Sequence, residues 1–167
     1  MKIRYQEEGD REAVRAVNEA AFETAAEADL VERLGEQARP LLSLVAEQEG
    51  RVVGHILFTP VSLSGHPGLR IMGLAPMAVL PGQQRRGIGS ALVREGLREC
   101  RRLGAVAVVV LGHPRYYPRF GFDPSSRFGI DCEYEVPEEA FMVLELSAGA
   151  LEGREGTIRY HEAFRGL

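Results

Sequence analysis

The chain has 167 residues, of which 45% are apolar and 26% charged, and its 20 basic and 24 acidic side chains leave a formal charge of −4. That length suits one domain, residues 1–167, with a core that needs no staples, and the composition excludes a largely disordered chain. The acidic balance, with no Lys/Arg block, argues against a nucleic-acid partner, and no apolar run approaches the length that spans a bilayer. From the N-terminus, residues 2–6 alternate and predict a strand. Asp10 is the candidate N-cap of a helix running to about Phe22, with Val14, Val17 and Ala21 on one face. A second helix is predicted over residues 27–37, with Leu30, Val31 and Leu34 inward and Pro40 closing it. Two strands follow, Leu42–Gln48 and Arg51–Leu63, with Glu49-Gly50 as the hairpin turn between them.

Residues 70–80 predict the next strand, broken by Pro81-Gly82. The longest helix is predicted over 85–103, where Ile88, Ala91, Leu92, Gly96, Cys100 and Leu103 recur near helical spacing. Arg98, Arg101 and Arg102 suit the negative end of its dipole, and Gly104 stops it. Residues 105–111 are continuously apolar and read as a strand buried on both faces. A short helix is predicted over 114–120 and strands over 140–146 and 157–160. The order predicts a mixed α/β fold, α+β in character, with one strand–helix–strand crossover at its centre.

Cys100 and Cys132 are the only cysteines, with neither metal-ligand spacing nor a disulfide framework, so no metal is expected and a reducing, cytoplasmic setting is. The N-terminus, Met-Lys-Ile-Arg-Tyr-Gln-Glu-Glu, lacks the apolar core of a signal peptide.

The chemistry concentrates between the central strand and the long helix, in Val79-Leu80-Pro81-Gly82-Gln83-Gln84-Arg85-Arg86-Gly87-Ile88-Gly89-Ser90. Gly87 and Gly89 remove two Cβ atoms at a helix start, so a ligand can approach the backbone there. The first helical N–H groups lack intrahelical acceptors and carry the positive end of the dipole, a cradle for a pyrophosphate. Arg85 and Arg86 add full charges beside it. On Gly-x-Gly alone, a plain strand-to-helix turn with solvated arginines is the favoured reading. Two other phosphate loops are excluded. The Gly-x4-Gly-Lys-Ser/Thr string is absent, and Leu92 stands where a dinucleotide fingerprint needs its third glycine.

The wider context decides for the ligand site. Gln84-Arg85-Arg86-Gly87-Ile88-Gly89 resembles the Gln/Arg-x-x-Gly-x-Gly/Ala motif of the GCN5-related N-acetyltransferases (GNAT), and Val79 and Pro81 match the Val-x-Pro that precedes it. Tyr117-Pro118-Arg119-Phe120-Gly121-Phe122 resembles that family's later Tyr-x-x-x-Gly-Phe element. The specific match covers residues 70–122, and the string Tyr-Tyr-Pro-Arg-Phe-Gly-Phe is similar to a bacterial subgroup of predicted acetyltransferases.

The resemblance implies a GNAT-like acyl-CoA N-acyltransferase fold and acetyl-CoA as co-substrate. It implies that Met77, Ala78 and Val79 pair with the pantetheine arm through backbone groups, and that Gln84, Arg85, Arg86, Gly87, Ile88, Gly89 and Ser90 hold the pyrophosphate. The amine must lose a proton before it attacks, since an alkylammonium with a pKa of about 10.4 is no nucleophile. The tetrahedral oxyanion needs a donor, for which the N–H of Ala78 or Val79 is placed. Tyr117 matches the family's general acid for the departing thiolate; its alternative role is a packed core aromatic, and Tyr116 is the weaker candidate beside it.

The base is not legible. Many relatives carry a Glu on the central strand, whereas residues 72–76 here read Met-Gly-Leu-Ala-Pro. A water chain, or a carboxylate such as Glu23 or Glu27, stays open. His113, next to a proline, reads as a cap or surface residue; His55 reads as a satisfied core residue; and Cys132, between Asp131 and Glu133, reads as a weak nucleophile. Three functions remain: an amine acetyltransferase, a non-catalytic acyl-CoA sensor on the same fold, and a plain interaction domain. The acceptor is not readable, and a homodimer is an open expectation because similar proteins are commonly dimers.

Overall fold

In the computed structural model, which describes residues 1–166, the alternating N-terminus forms β1 (Lys2–Tyr5). Two helices follow, α1 (Arg11–Phe22) and α2 (Ala26–Gln37). Next come β2 (Leu42–Gln48), β3 (Arg51–Leu63) and β4 (Ile71–Val79), then the long helix α3 (Ile88–Arg102) and β5 (Ala107–Leu111). Four shorter strands complete the chain: β6 (Asp123–Pro124), β7 (Ile130–Cys132), β8 (Phe141–Glu145) and β9 (Gly156–Arg159). Among the described residues they make a mixed nine-stranded sheet flanked by helices, the mixed α/β fold that the sequence predicts with β6 and β7 added.

The backbone divides into two compact units, the first holding Met1–Thr59, Ala75–Gly96 and the residues from Glu162 on, the second Pro60–Leu74 and Leu97–His161. In the first, β1 pairs antiparallel with β2 from Lys2–Glu47 to Tyr5–Leu44, and β2 pairs antiparallel with β3 with a bulge between Ala46 and Glu47. The β2–β3 hairpin turns on Glu49 (φ 51°) and Gly50 (φ 75°), two left-handed residues whose twist matches the strands. One apolar cluster joins Val14 and Val17 of α1, Leu30, Val31 and Leu34 of α2, Leu57 of β3 and Ala78 of β4. In the second unit, Ile71–Leu74 of β4 runs parallel to Ala107–Val110, and β5 pairs antiparallel with β8. β9 pairs with the end of β3 and, in parallel, with β7. Its cluster gathers Ile71, Val109, Phe141, Val143 and Ile158.

α1 keeps its predicted bounds, while its cap and several other boundaries differ for local reasons. Asp10 stands at the N-cap position of α1 but does not cap it. Its carboxylate takes two bonds from Arg4, at 2.7 and 3.0 Å, and one from the N–H of Glu7 at 2.7 Å. A guanidinium is the stronger donor, and it holds the Asp10 carboxyl below the usual carboxylate range. The predicted helix over 85–103 begins only at Ile88, because Arg85 (φ 65°) and Gly87 (φ 83°) adopt left-handed angles no α-helix admits. At its far end Gly104 (φ 84°) closes the helix as predicted, and Ala105 donates back to the Cys100 carbonyl at 3.0 Å. That bond is why the following strand starts at Ala107, not at 105. The short helix expected over 114–120 is a single 3-10 turn, Tyr117–Phe120, since Pro118 supplies no N–H to extend it. No helix among the described residues is long and apolar enough to cross a membrane, and no group of metal-ligating side chains is found among them.

α3 lies close on β3 because two glycines permit it. A Cβ on Gly54 would stand 3.1 Å from both Ile88 and Leu92, and one on Gly96 would enter the ring of the fully buried Phe58. Gly96→Ala should therefore lower the unfolding free energy by about 1–3 kcal/mol, the usual cost of overpacking, read as a lower urea midpoint at unchanged m-value. An unshifted midpoint would contradict this packing.

Candidate active site

The segment from the end of β4 to the start of α3 is built from the strand outward. Leu80 donates to the Val53 carbonyl at 2.9 Å, tying the strand end to β3, and Gln83 closes a tight turn onto Leu80 at 2.8 Å. The Gln84 side chain reaches back, its Nε2 donating to the Val79 carbonyl at 3.1 Å. Arg85 and Arg86 are left exposed, and Gly87 beyond them is exposed as well. A Cβ built on Gly87 meets nothing within 4 Å, so the space before this backbone is open.

The Gly87 carbonyl accepts the first helical rung from Ala91 at 3.0 Å. The N–H groups of Ile88 and Gly89 precede that rung and have no carbonyl one turn back. Ile88 itself is buried, its side chain seated near Gly54, which anchors the helix start. Gly89 and Ser90 are half-buried. Amides without a helical acceptor and the positive dipole end border open space, with the exposed Arg85 and Arg86 just before them in the chain, which fits a multiply charged anion such as a pyrophosphate. Ala78 is buried in the cluster under α1 and α2, while Met77 and Val79 are half-buried and alternate onto the other face of β4. Met77 to Val79 and Gln84 to Ser90 thus share the first unit.

Tyr117 belongs to the second unit, where it is 8% exposed. Its ring packs edge-on against Tyr116 at 5.1 Å and Phe122 at 5.7 Å. Gly112 makes room for it, since a Cβ there would collide with the Tyr117 ring. Burial, and then Tyr116, push the Tyr117 phenol up to about 12, so it keeps its proton throughout the neutral range. His113 caps the turn that carries Tyr117: its carbonyl accepts from Tyr116 at 3.1 Å and its Nδ1 from the N–H of Arg115 at 3.2 Å. Arg119 lies over the Tyr116 ring, 4.5 Å from its centroid.

A family model for the acetyltransferase (GNAT) domain matches residues 2–125. The chain belongs to the GNAT acetyltransferase family. It is 39% identical to the uncharacterized N-acetyltransferase YhbS of Escherichia coli strain K12 over 165 residues, 98% of each chain. It is 44% identical to YjhQ, named in the same words, of that strain over 137 residues, 80% of this chain and 76% of the relative. Among solved structures, that of E. coli YhbS in complex with CoA superposes with a TM-score of 0.91 at 37% identity, covering 98% of this chain and 91% of the other. A GNAT family acetyltransferase from Brucella melitensis in complex with acetyl-CoA gives a TM-score of 0.80 at 37% identity, covering 98% and 97%.

Within this GNAT chain the remaining titratable groups sort clearly. Of the two carboxylates offered as bases, Glu23 is exposed in a left-handed helix end (φ 61°), whereas Glu27 is half-buried with a fully buried Oε2 that has no hydrogen-bond partner among the described residues. Cys132 is raised mainly by burial, with Glu133 a smaller cause, so the acidic neighbours invoked from the sequence are secondary. Cys100 is buried and pushed up to about 12. Both thiols are free.

His55 is fully buried and bonded at both ring nitrogens, a satisfied core residue. Asn18 Nδ2 lies 3.0 Å from the Val14 carbonyl and 3.2 Å from His55 Nδ1. Its two N–H groups therefore go to those acceptors, His55 Nδ1 carries no proton, and Nε2–H donates to Ser43 Oγ at 2.9 Å. Ser43 in turn donates to Gln6 Oε1 at 2.5 Å. Reasoning from sequence missed Asn18, though a signal existed: it is the one polar residue of the α1 stripe that packs inward, four places after Val14.

Burial alone drives the His55 imidazole down to about 3. The unfolded chain, titrating near 6.5, then binds one more proton than the native state below that pH. Stability from this group is full above pH 6.5 and lost on acidification, with a slope approaching about 1.4 kcal/mol per pH unit. NMR of the imidazole carbons should find His55 neutral in the native protein at pH 5; titration near 6.5 would contradict the buried relay.

Proposed function

We propose that this chain transfers the acetyl group of acetyl-CoA to a primary amine by direct attack through a tetrahedral intermediate. The observation that carries the reading is the open backbone at Gly87, set before the first turn of α3 and flanked by exposed Arg85 and Arg86. Relatives of 37% identity that hold CoA and acetyl-CoA support the same ligand here. In this reading the backbone of Gln84 to Ser90 holds the pyrophosphate, and Met77, Ala78 and Val79 hold the pantetheine arm through their peptide groups. β4 suits that task beyond Leu74, where its register with β5 ends and Pro76 offers no N–H of its own.

The chain's residues then divide the work. The N–H of Ala78 or Val79 stabilises the oxyanion as the amine attacks the thioester carbonyl. Tyr117, protonated at neutral pH, gives its proton to the departing thiolate and recovers one from solvent. The two free thiols support a reducing, cytoplasmic setting for what we read as a single acetyltransferase domain.

Two variants test the reading. Gly87→Asp puts a side chain and a negative charge into the cradle; CoA affinity measured by calorimetry should collapse by a hundred-fold or more, about 3 kcal/mol, while the circular dichroism spectrum is kept. Wild-type affinity in that variant would remove the site. Tyr117→Phe should lower kcat roughly ten- to a thousand-fold and leave CoA affinity within two-fold; undiminished turnover would remove Tyr117 from the chemistry.

A further inference from the structure

Helices α1 and α2 run antiparallel, in a register their ion pairs define. Arg11 meets Glu36 at 3.7 Å, and Arg15 meets Glu32 at 3.3 Å and Asp29 at 2.9 Å. Continued one turn along, that register brings Asn18 level with Glu27. Both belong to the inward stripes. Asn18 is fully buried beside Val14 and Val17, and Glu27 stands one turn before Leu30 and Val31 and two before Leu34. The cluster formed by those stripes includes Ala78 of β4.

At this level two buried oxygens lack any hydrogen-bond partner among the described residues, Asn18 Oδ1 and Glu27 Oε2. Asn18 cannot swing away to find one. Its amide nitrogen is committed to the Val14 carbonyl and His55 Nδ1, so its oxygen is held in one direction. An unpaired buried acceptor is costly, and more so when charged. Both atoms are acceptors and one belongs to a carboxyl group. Their complement is a positive group with several N–H donors, and a primary alkylammonium has three.

We propose that Glu27 Oε2 and Asn18 Oδ1 receive the ammonium group of the acceptor, and that Glu27 is the base of the reaction. This rests on the acetyl-transfer reading above. One proton passes from the ammonium nitrogen to Glu27 Oε2, leaving a neutral amine whose lone pair forms the new C–N bond, and the tetrahedral intermediate then collapses with cleavage of the C–S bond. The nitrogen's second proton goes to solvent, the thiolate is protonated by Tyr117, and Glu27 and Tyr117 return to their starting states by exchange with water. The net reaction releases one proton for each acetyl group moved. β4 carries no carboxylate between Met72 and Val79 to do this instead.

The test titrates n-butylammonium, 1,5-diaminopentane and spermidine into the whole protein with and without CoA, comparing wild type with E27Q and E23Q. At least one amine should bind wild type and E23Q alike and bind E27Q about ten-fold or more weakly. CoA affinity should be equal in all three. Without ligand, E27Q should melt higher than wild type, because an unpaired buried carboxylate has gone. For an amine that wild type acetylates, kcat of E27Q should fall about a hundred-fold at neutral pH and recover as pH rises toward the amine's own pKa. Equal amine binding in E27Q, or no amine bound by wild type, overturns the proposal. Weakened binding with undiminished kcat overturns the base role. Failure of the acetyl-transfer reading is distinct: wild type would then bind no CoA, or would bind both CoA and an amine and move no acetyl group.

Discussion

The seating of α3 on β3 is the constraint on which the candidate site depends. A helix start is useful to an anion only if its free amides face open space and stay there. Here the helix is pressed onto the sheet where Gly54 and Gly96 lack side chains, and the Phe58 ring fills the space a Cβ on Gly96 would take. Ile88 is buried at the first turn. The helix can therefore neither unwind by a turn nor slide without losing packed apolar surface. The same seating forces the chain to reverse sharply between Val79 and Ile88, and left-handed angles at Arg85 and Gly87 accomplish that. For Arg85 the angle costs about 1–2 kcal/mol. The bond from Gln84 to the Val79 carbonyl helps to offset it. Strain at this loop is thus over-determined by its surroundings, which is how a binding loop is pre-organised.

A second constraint lies within the helix pair above the sheet. The stripe of α1 could have been wholly apolar, yet it carries Asn18, and β3 answers with His55. The relay through Ser43 to Gln6 satisfies the histidine at both nitrogens and orients the asparagine. It leaves the asparagine oxygen unsatisfied, beside a helix whose first turn carries a half-buried glutamate. A core selected for stability alone would fill such a place with leucine. The ammonium group proposed above would complete both acceptors.

Much of this was legible in the sequence, and the reason differs by element. Strand β3 is a long, nearly continuous apolar run and helix α3 is long and strongly periodic, so their existence and type follow from pattern. The proposed phosphate loop, Gln84 to Ser90, is a backbone site, and backbone sites are written in glycines and fixed spacing, so a sequence can single one out before any fold is known. Boundaries were lost where a single interaction decides: Ala105 turned back to Cys100, and Pro118 cut a helix to one turn. Asp10 kept its N-cap place and turned only its side chain to Arg4. Strands β6 and β7, two and three residues long, have no periodicity to detect and exist only through their partners β8 and β9.

The acceptor side is written differently, in side chains brought level by the pairing of α1 with α2. Asn18 and Glu27 are nine positions apart with a helix end between them, and nothing in that spacing marks them as neighbours. Only the ion pairs of Arg11 and Arg15 fix the register that aligns them. The Arg11 pair is exposed and the Arg15–Glu32 pair half-buried, so they contribute modestly to stability; their weight lies in selecting one alignment over the next turn up or down. A one-turn slip would carry Glu27 away from Asn18 by about 5.4 Å, beyond any shared hydrogen-bonded group. Charges of small energetic value would in this way decide whether two buried acceptors meet, so a motif can mark the proposed cofactor end of the site, whereas the proposed substrate end has no mark in the sequence.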